Sequence, residues 1–170
     1  MTAEAGRRGN RRETVIFLLI LLVAAVARLG RPDLTEFKAD EGRLLTLALR
    51  MSAGEWAVRG ISSSVGFPNA PMSVWLYSLP LFIRQHVYAA TLFTGALGVA
   101  AVVGVYWMGR RYGGATVAIA GALMLAVSPW AIVFSRKIWA QNLLPAVAVA
   151  WAICAALAFV EDRRPYVALH

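Results

Sequence analysis

The chain has 170 residues, of which 59% are apolar and 15% are charged, and its mean hydropathy is +0.63. This composition excludes a soluble globular domain of this size and indicates an integral membrane protein. The net charge of +8 does not indicate nucleic-acid binding, because the arginines stand in clusters at the ends of apolar segments instead of forming one solvated patch.

The first apolar segment covers residues 14–29 and follows a basic tail at residues 1–13. We predict a mobile cytoplasmic tail and a first membrane span, from which Arg28 reaches back toward the lipid headgroups. A cleaved signal peptide is the alternative, since the short apolar run ends in the small residues 25–27. In either case the following loop emerges on the outer side of the membrane.

The predicted outer loop, residues 30–86, contains the adjacent carboxylates Asp40 and Glu41 at the start of an amphipathic segment. Polar and apolar residues alternate there with helical spacing, which predicts a helix on the membrane interface at about residues 41–53. Two compatible interpretations of Asp40 remain open. It is the N-cap of this helix, or a general base exposed at the helix start.

The second half of the outer loop begins with a hydroxyl-rich segment that contains Ser62, Ser63 and Ser64. Such a segment can line a phosphate or sugar site, and an ordinary loop is the alternative. Pro71 then suits a first helical position, and apolar residues at helical spacing follow it. They predict a second interfacial helix at about residues 71–84, with Trp75 and Tyr77 among the headgroups.

Three further membrane spans are predicted at residues 87–108, 115–134 and 143–160, followed by a tail at residues 161–170. Arginine pairs after the second and fourth spans place both termini in the cytoplasm. No charged side chain is expected to be buried within a span, which argues against an ion pathway. The predicted fold is an all-α integral membrane protein with four transmembrane helices and two interfacial helices in the first outer loop. Residues 14–160 form a single membrane domain.

The turn between the last two spans, residues 135–142, returns to the same side as Asp40 and concentrates polar side chains. Cations, an indole and amides in one short turn are suited to bind a lipid phosphate or a sugar, although such residues also serve as simple membrane anchors. The candidate ligands of this turn are Arg136, Lys137, Trp139 and Asn142. No zinc motif, nucleotide-binding glycine loop or nucleophile elbow is found in the sequence.

Four pieces of sequence, in this order, resemble the beginning of a GT-C class polytopic membrane glycosyltransferase. The most specific piece resembles bacterial enzymes of the family 39 type, which are related to protein O-mannosyltransferases and to the lipid A aminoarabinose transferase. The pieces are the basic tail with the first span, the acidic pair opening the helix that ends at residues 51–56, the segment 67–71, and the stretches 109–113 and 128–145.

The resemblance implies transfer of a sugar from a polyprenyl-phosphate donor to an acceptor hydroxyl, of a protein, glycan or lipid, on the outer face of the plasma membrane. It implies that Asp40 is the catalytic base and that Glu41 assists it. The cations Arg136 and Lys137, together with Trp139, Asn142 and Ser62–Ser64, would bind substrate. Asn142 stands where the family often has a second acidic residue, so we assign no metal ligand. No cofactor is required, and a divalent metal is left open.

Members of this class continue with further membrane helices, so the chain resembles an N-terminal part of such an enzyme. The alternative is a non-catalytic four-helix membrane scaffold or a truncated, inactive relative. The two hypotheses differ in what they predict for Asp40 and Glu41, because a scaffold tolerates loss of both carboxylates and an enzyme does not.

Overall fold

The computed structural model describes residues 2–34, 37–63 and 66–160, and it describes side chains from residue 11 onward. Within these ranges the chain is helical, and its one β-bridge joins Ser62 to Pro68. The helices are α1 (Thr2–Leu29), α2 (Ala39–Ser52), α3 (Met72–Ile83), α4 (Val87–Tyr112), α5 (Gly114–Val127), α6 (Pro129–Phe134), a 3-10 helix (Ala140–Leu143) and α7 (Leu144–Phe159).

Helix α1 differs from the prediction because residues 2–13, expected as a separate mobile tail, continue the helix of the first apolar segment. Glu13 of α1 contacts the end of α4. Its Oε1 accepts a hydrogen bond from the Tyr106 hydroxyl at 2.8 Å and lies 2.7 Å from Nε of Arg110. Phe17 stacks on the ring of Tyr106 with a centroid distance of 3.8 Å. The middle of α1 therefore lies beside the end of α4, and the two helices are antiparallel.

Two helical stretches among the described residues, Val87–Tyr112 and Ala140–Phe159, are long and apolar enough to cross a membrane. The span predicted at residues 115–134 is not one helix, because α5 ends at Val127 and α6 begins at Pro129. A residue that precedes proline disfavours the helical conformation, and Ser128 accordingly has φ −60° and ψ 118°. The serine hydroxyl then accepts a hydrogen bond from the Ala131 N–H and caps α6.

Small residues bring the long helices close together. Ala118, Ala122 and Ala126 recur four positions apart on α5, and all three are fully buried. Ala122 and Ala126 belong to a core with Ile20, Ala24 and Val102, which joins α1, α4 and α5. Helix α7 instead has α4 as its principal neighbour, where Gly104 meets Val149. Its other flank is largely exposed.

Helices α2 and α3 pack against each other and form a second core at the α1 C-terminal end of the bundle. Leu44, Ala48 and Met51 form the buried stripe of α2, as their helical spacing requires. Tyr77 of α3 belongs to the same core and is fully buried, whereas we predicted it among the lipid headgroups. The prediction was wrong because the hydroxyl has partners inside the protein.

Arg28 is buried, with 1% of its surface exposed, and does not reach back toward the headgroups as predicted. Its Nη1 donates to the carbonyl of Ala126 at 2.9 Å, and its Nη2 donates to that of Leu125 at 2.7 Å. The break at Ser128 leaves the last carbonyls of α5 without intrahelical partners, and the guanidinium supplies donors to them. A charged residue is thus buried at the end of the first apolar helix, which the sequence analysis did not expect.

Candidate functional site

A polar pocket of 210 Å³ lies where the start of α2 faces the segment between α6 and α7. It brings together two parts of the chain, residues 38–41 and 134–142, that are far apart in sequence. Two lining residues, Lys38 and Phe134, were not predicted from the sequence, whereas the other five were. The lining residues are Lys38, Asp40, Glu41, Phe134, Lys137, Trp139 and Asn142.

The acidic side of the pocket is the first turn of α2. The N-cap is Lys38, so the prediction of Asp40 as N-cap was wrong. The Lys38 backbone N–H donates to Oε2 of Glu41 at 2.7 Å, the backbone half of a capping box. Both carboxylates therefore lie in the first turn, where the unpaired N–H groups of the helix favour negative charge.

The two adjacent carboxylates have different surroundings. Glu41 is 4% exposed, and its Oε1 lies 3.9 Å from Nζ of Lys137 across the pocket. The Asp40 side chain is half exposed, and its Oδ1 lies 3.2 Å from a guanidinium nitrogen of Arg43, whose side chain is 69% exposed. An exposed ion pair of this kind contributes little free energy, and its partners separate readily. Asp40 is therefore the carboxylate that a bound molecule can reach, and Glu41 joins the two sides of the pocket.

The opposite side of the pocket is held by hydrogen bonds to the main chain. Asn142 donates from Nδ2 to the carbonyl of Lys137 at 3.0 Å, closing the turn that carries both residues. The buried Tyr77 hydroxyl donates to the carbonyl of Trp139 and accepts from its N–H, each at 3.1 Å. Thr94 donates to the same hydroxyl at 3.2 Å. Tyr77 thereby attaches the wall at Trp139 to both α3 and α4.

The Tyr77 hydroxyl stays protonated near neutral pH and cannot act there as a base. Burial raises the pKa of Tyr77 to about 12, and its hydrogen bonds with Thr94 and Trp139 oppose that rise only in part. The role of Tyr77 is therefore to hold the main chain. Its position on the buried face of α3 was the available sequence signal, and we misread it as an interfacial tyrosine.

Three predicted binding residues, Arg136, Ser62 and Ser63, do not line the polar pocket. Arg136 donates from Nε to the carbonyl of Ala27 at 2.9 Å, and a second donor, Nη2, contacts the same oxygen, so it caps α1. Ser62 lies in the bridge to Pro68, and the Ser63 N–H donates to Phe67 at 2.8 Å. Ser64 lies outside the described residues.

The part of the chain that the structure describes contains no group of three or more histidine, cysteine, aspartate or glutamate residues able to hold a metal ion. The two carboxylates of the pocket also diverge. Asp40 turns toward Arg43, while Glu41 turns toward Lys137 and the Lys38 N–H. In this arrangement each carboxylate faces a cationic side chain, Arg43 for Asp40 and Lys137 for Glu41.

Comparison with known proteins identifies the family of this chain. The family model described as dolichyl-phosphate-mannose-protein mannosyltransferase matches residues 68–169, which is well over half of the chain. The matched part includes Lys137, Trp139 and Asn142, whereas Asp40 and Glu41 precede it. Comparisons with curated proteins and with solved structures give no significant match. The chain therefore belongs to the dolichyl-phosphate-mannose-protein mannosyltransferase family, a family of membrane-embedded glycosyltransferases.

Proposed function

We propose that the chain forms part of a membrane glycosyltransferase that moves a sugar, mannose or a related hexose or pentose, from a polyprenyl-phosphate donor to an acceptor hydroxyl. One observation carries the proposal. The polar pocket holds an accessible carboxylate, Asp40, opposite Lys137, Trp139 and Asn142. A base facing a cation, an aromatic ring and an amide is the set of groups that glycosyl transfer from a phosphate ester needs.

In the proposed reaction, Asp40 accepts the proton of the acceptor hydroxyl as its oxygen bonds to the anomeric carbon. The bond from that carbon to the phosphate oxygen breaks, and the phosphate leaves with the electron pair. Lys137 stabilises the negative charge on the departing phosphate, and Lys38 adds a second cation at the pocket edge. Trp139 offers an apolar surface to the sugar ring, and Asn142 offers an amide to its hydroxyls.

The proposal includes an orientation in the plasma membrane. The end of the bundle that carries α2, α3 and the polar pocket faces outside, and the opposite end, with Arg110 and Arg111, faces the cytoplasm. Clustered arginines at one end of the long helices support this assignment. In this orientation α1, α4, α5 with α6, and α7 cross the membrane, and α2 and α3 lie on its outer interface.

The substitution Asp40→Asn tests the proposed base. It preserves shape and one hydrogen-bond acceptor, and removes the group that takes the proton. We expect transfer from polyprenyl-phosphate mannose by the purified protein in lipid nanodiscs to fall by about 10²–10⁴-fold. The matched control is Asp33→Asn, which removes an exposed carboxylate paired with Arg31 at 2.8 Å outside the pocket and should leave transfer unchanged.

Equal transfer by the Asp40→Asn and wild-type proteins would contradict the assignment of the base. If the wild-type protein transfers no sugar from any lipid phosphate, and variants at Asp40 and Glu41 insert normally, the scaffold hypothesis replaces the enzyme. Glu41→Gln separates two roles, since it removes the charge facing Lys137 while its amide oxygen can still accept from the Lys38 N–H. A purely supporting Glu41 predicts a smaller loss of transfer than the one caused by Asp40→Asn.

A further inference from the structure

A second concentration of charge lies at the end of the bundle opposite the polar pocket, where α1 meets the end of α4. Among residues 11–17 and 106–112, the charged side chains are four arginines and one glutamate. The glutamate is Glu13, whose Oε1 lies 2.7 Å from Nε of Arg110. These two stretches therefore carry a net positive charge, which the proposed transfer reaction does not use.

A depression of 350 Å³, the basic depression, opens on the last turns of α4 and is lined by Tyr106, Trp107, Arg110 and Arg111. Arg110 follows Tyr106 by four positions, and Arg111 follows Trp107 by four, so the four side chains share one face of the helix. Glu13 of α1 accepts a hydrogen bond from the Tyr106 hydroxyl at 2.8 Å and pairs with Arg110. A second helix thus fixes part of the lining.

The basic depression changes from apolar to cationic in the same direction as a phospholipid does. Because α4 ends at Tyr112, Arg111 stands one helical turn, about 5.4 Å, nearer the end of the bundle than Trp107. Aromatic rings suit the boundary between acyl chains and headgroups, and guanidinium groups suit phosphates. Helix α1 runs the other way and repeats this order. Its own depression, of 490 Å³, is lined by Arg11, Arg12, Val15 and Ile16, with the arginines nearer the start of the helix.

We propose that the basic depression binds the headgroup of an anionic phospholipid, with the phosphate at Arg110 and Arg111 and the glycerol backbone against Trp107. The lipid belongs to the leaflet at this end of the bundle, which is the cytoplasmic leaflet in the orientation proposed above. Basic pockets at the cytoplasmic ends of membrane helices bind anionic headgroups, and each arginine near the surface adds roughly fivefold to the affinity. The inference does not depend on the transfer reaction and needs only a chain embedded in a membrane.

Arginines at this end also bias the orientation of the chain, which is a simpler reason for their presence. Orientation depends on the number of cations on one side of the membrane. It requires neither two arginines on one helix face nor an aromatic ring one turn below them. A built site and a general positive surface therefore differ in one respect. In a built site, Arg111 contributes more to lipid binding than Arg11, which lies outside the basic depression.

The test counts phospholipids bound to the purified full chain. Protein in detergent is titrated with phosphatidylglycerol, phosphatidylcholine or inorganic phosphate, and the bound molecules are counted by native mass spectrometry. We expect one phosphatidylglycerol to bind roughly tenfold or more tightly than phosphatidylcholine, since two arginines face its phosphate. Inorganic phosphate, which cannot use the tryptophan, should displace the lipid only at far higher concentration.

Three variants change the basic depression and one controls for them. Arg111→Gln removes a cation from an exposed position and should weaken phosphatidylglycerol binding by roughly fivefold, whereas Arg111→Lys keeps the charge and should retain most of it. Trp107→Ala should weaken phosphatidylglycerol binding without changing that of inorganic phosphate. The matched control, Arg11→Gln, removes an exposed arginine of α1 and should bind phosphatidylglycerol almost as well as wild type.

Equal binding of phosphatidylglycerol and phosphatidylcholine by the wild-type protein would overturn the site. Equal weakening by Arg111→Gln and Arg11→Gln would also overturn it, because this end would then act as a general positive surface. Inorganic phosphate that displaces phosphatidylglycerol at a matching concentration would reveal a site for soluble anions instead. None of these measurements involves sugar transfer, so their outcome is separate from that of the proposed function.

Discussion

Replacing Tyr77 with phenylalanine removes one hydroxyl that makes three hydrogen bonds, and little else. The ring stays in the core of α2, α3 and α4, where it lies edge to face with Phe93 at a centroid distance of 6.3 Å. The lost bonds join the hydroxyl to the N–H and the carbonyl of Trp139 and to Thr94. Without the Tyr77 hydroxyl, the Thr94 hydroxyl can donate its one proton to the carbonyl of Ala90, which lies at 3.1 Å.

The loss of stability follows from the groups left without partners. The Trp139 main-chain groups lose the hydroxyl in a partly buried position, and each unsatisfied group costs about 1–3 kcal/mol. We expect Tyr77→Phe to lower the free energy of unfolding by about 2–4 kcal/mol in total, since some water reaches the Trp139 backbone. At about 2–4 °C per kcal/mol for a chain of this size, the melting temperature should fall by several degrees.

The raised pKa of Tyr77 adds a dependence on pH to the same experiment. Its folded pKa of about 12 exceeds an unfolded value of about 10, so the unfolded state releases the phenolic proton first. The stability due to this group is complete below pH 10 and is lost as the pH rises toward 12, by roughly 3 kcal/mol at about 1.4 kcal/mol per pKa unit. The free energy of unfolding of the Tyr77→Phe protein should therefore fall less steeply between pH 10 and pH 12 than that of the wild type.

Thermal unfolding in detergent, followed by circular dichroism from neutral pH to pH 12, measures both effects. Tyr88→Phe is the matched control, because Tyr88 is 41% exposed and its hydroxyl has no hydrogen bond within the described structure. That control should stay within about 0.5 kcal/mol of wild type. A Tyr77→Phe protein as stable as the Tyr88→Phe protein, with an unchanged alkaline decline, would refute the role assigned to the Tyr77 hydroxyl.

Two further predictions concern the buried arginine and the orientation of the chain. Arg28→Met should lower the free energy of unfolding by about 1–3 kcal/mol, because it leaves the last α5 carbonyls without donors, and Arg28→Lys should recover part of the loss in the same thermal assay. An Arg28→Met protein of wild-type stability would contradict the capping role. In a Cys154→Ala background, cysteines at the exposed positions 62 and 141 should react with a membrane-impermeant maleimide from outside, and a cysteine at position 112 only after permeabilisation. Reaction of positions 62 and 112 from the same side would disprove the orientation.

The sequence predicted the elements whose signals are local. The apolar runs predicted α4 and α7, and the alternation of polar and apolar residues predicted α2. The acidic pair and the turn at Lys137 predicted the two sides of the polar pocket. The boundary at Ser128–Pro129 was also local, since the residue before a proline resists the helical conformation, and we overlooked it. The polar pocket was predicted only through the family resemblance and the shared side of two loops.

The remaining features depend on long-range contacts that no local pattern encodes. Arg28 looked like an interfacial arginine because its acceptors, Leu125 and Ala126, lie about a hundred positions later and become available only through the break in α5. Arg136 has the charge of a phosphate ligand, but its guanidinium instead donates a hydrogen bond to a carbonyl near the end of α1. Tyr77 looked interfacial because its partners lie in α4 and beside the 3-10 helix.

The order of the helices in the chain sets the order in which the parts of the polar pocket are synthesised. The core shared by α1, α4 and α5 consists of residues that are all synthesised before α7. The two sides of the polar pocket are separated in the chain by α3, α4, α5 and α6, so Asp40 is synthesised long before Lys137, Trp139 and Asn142. The residues of the helical core therefore leave the ribosome before the second side of the binding site does.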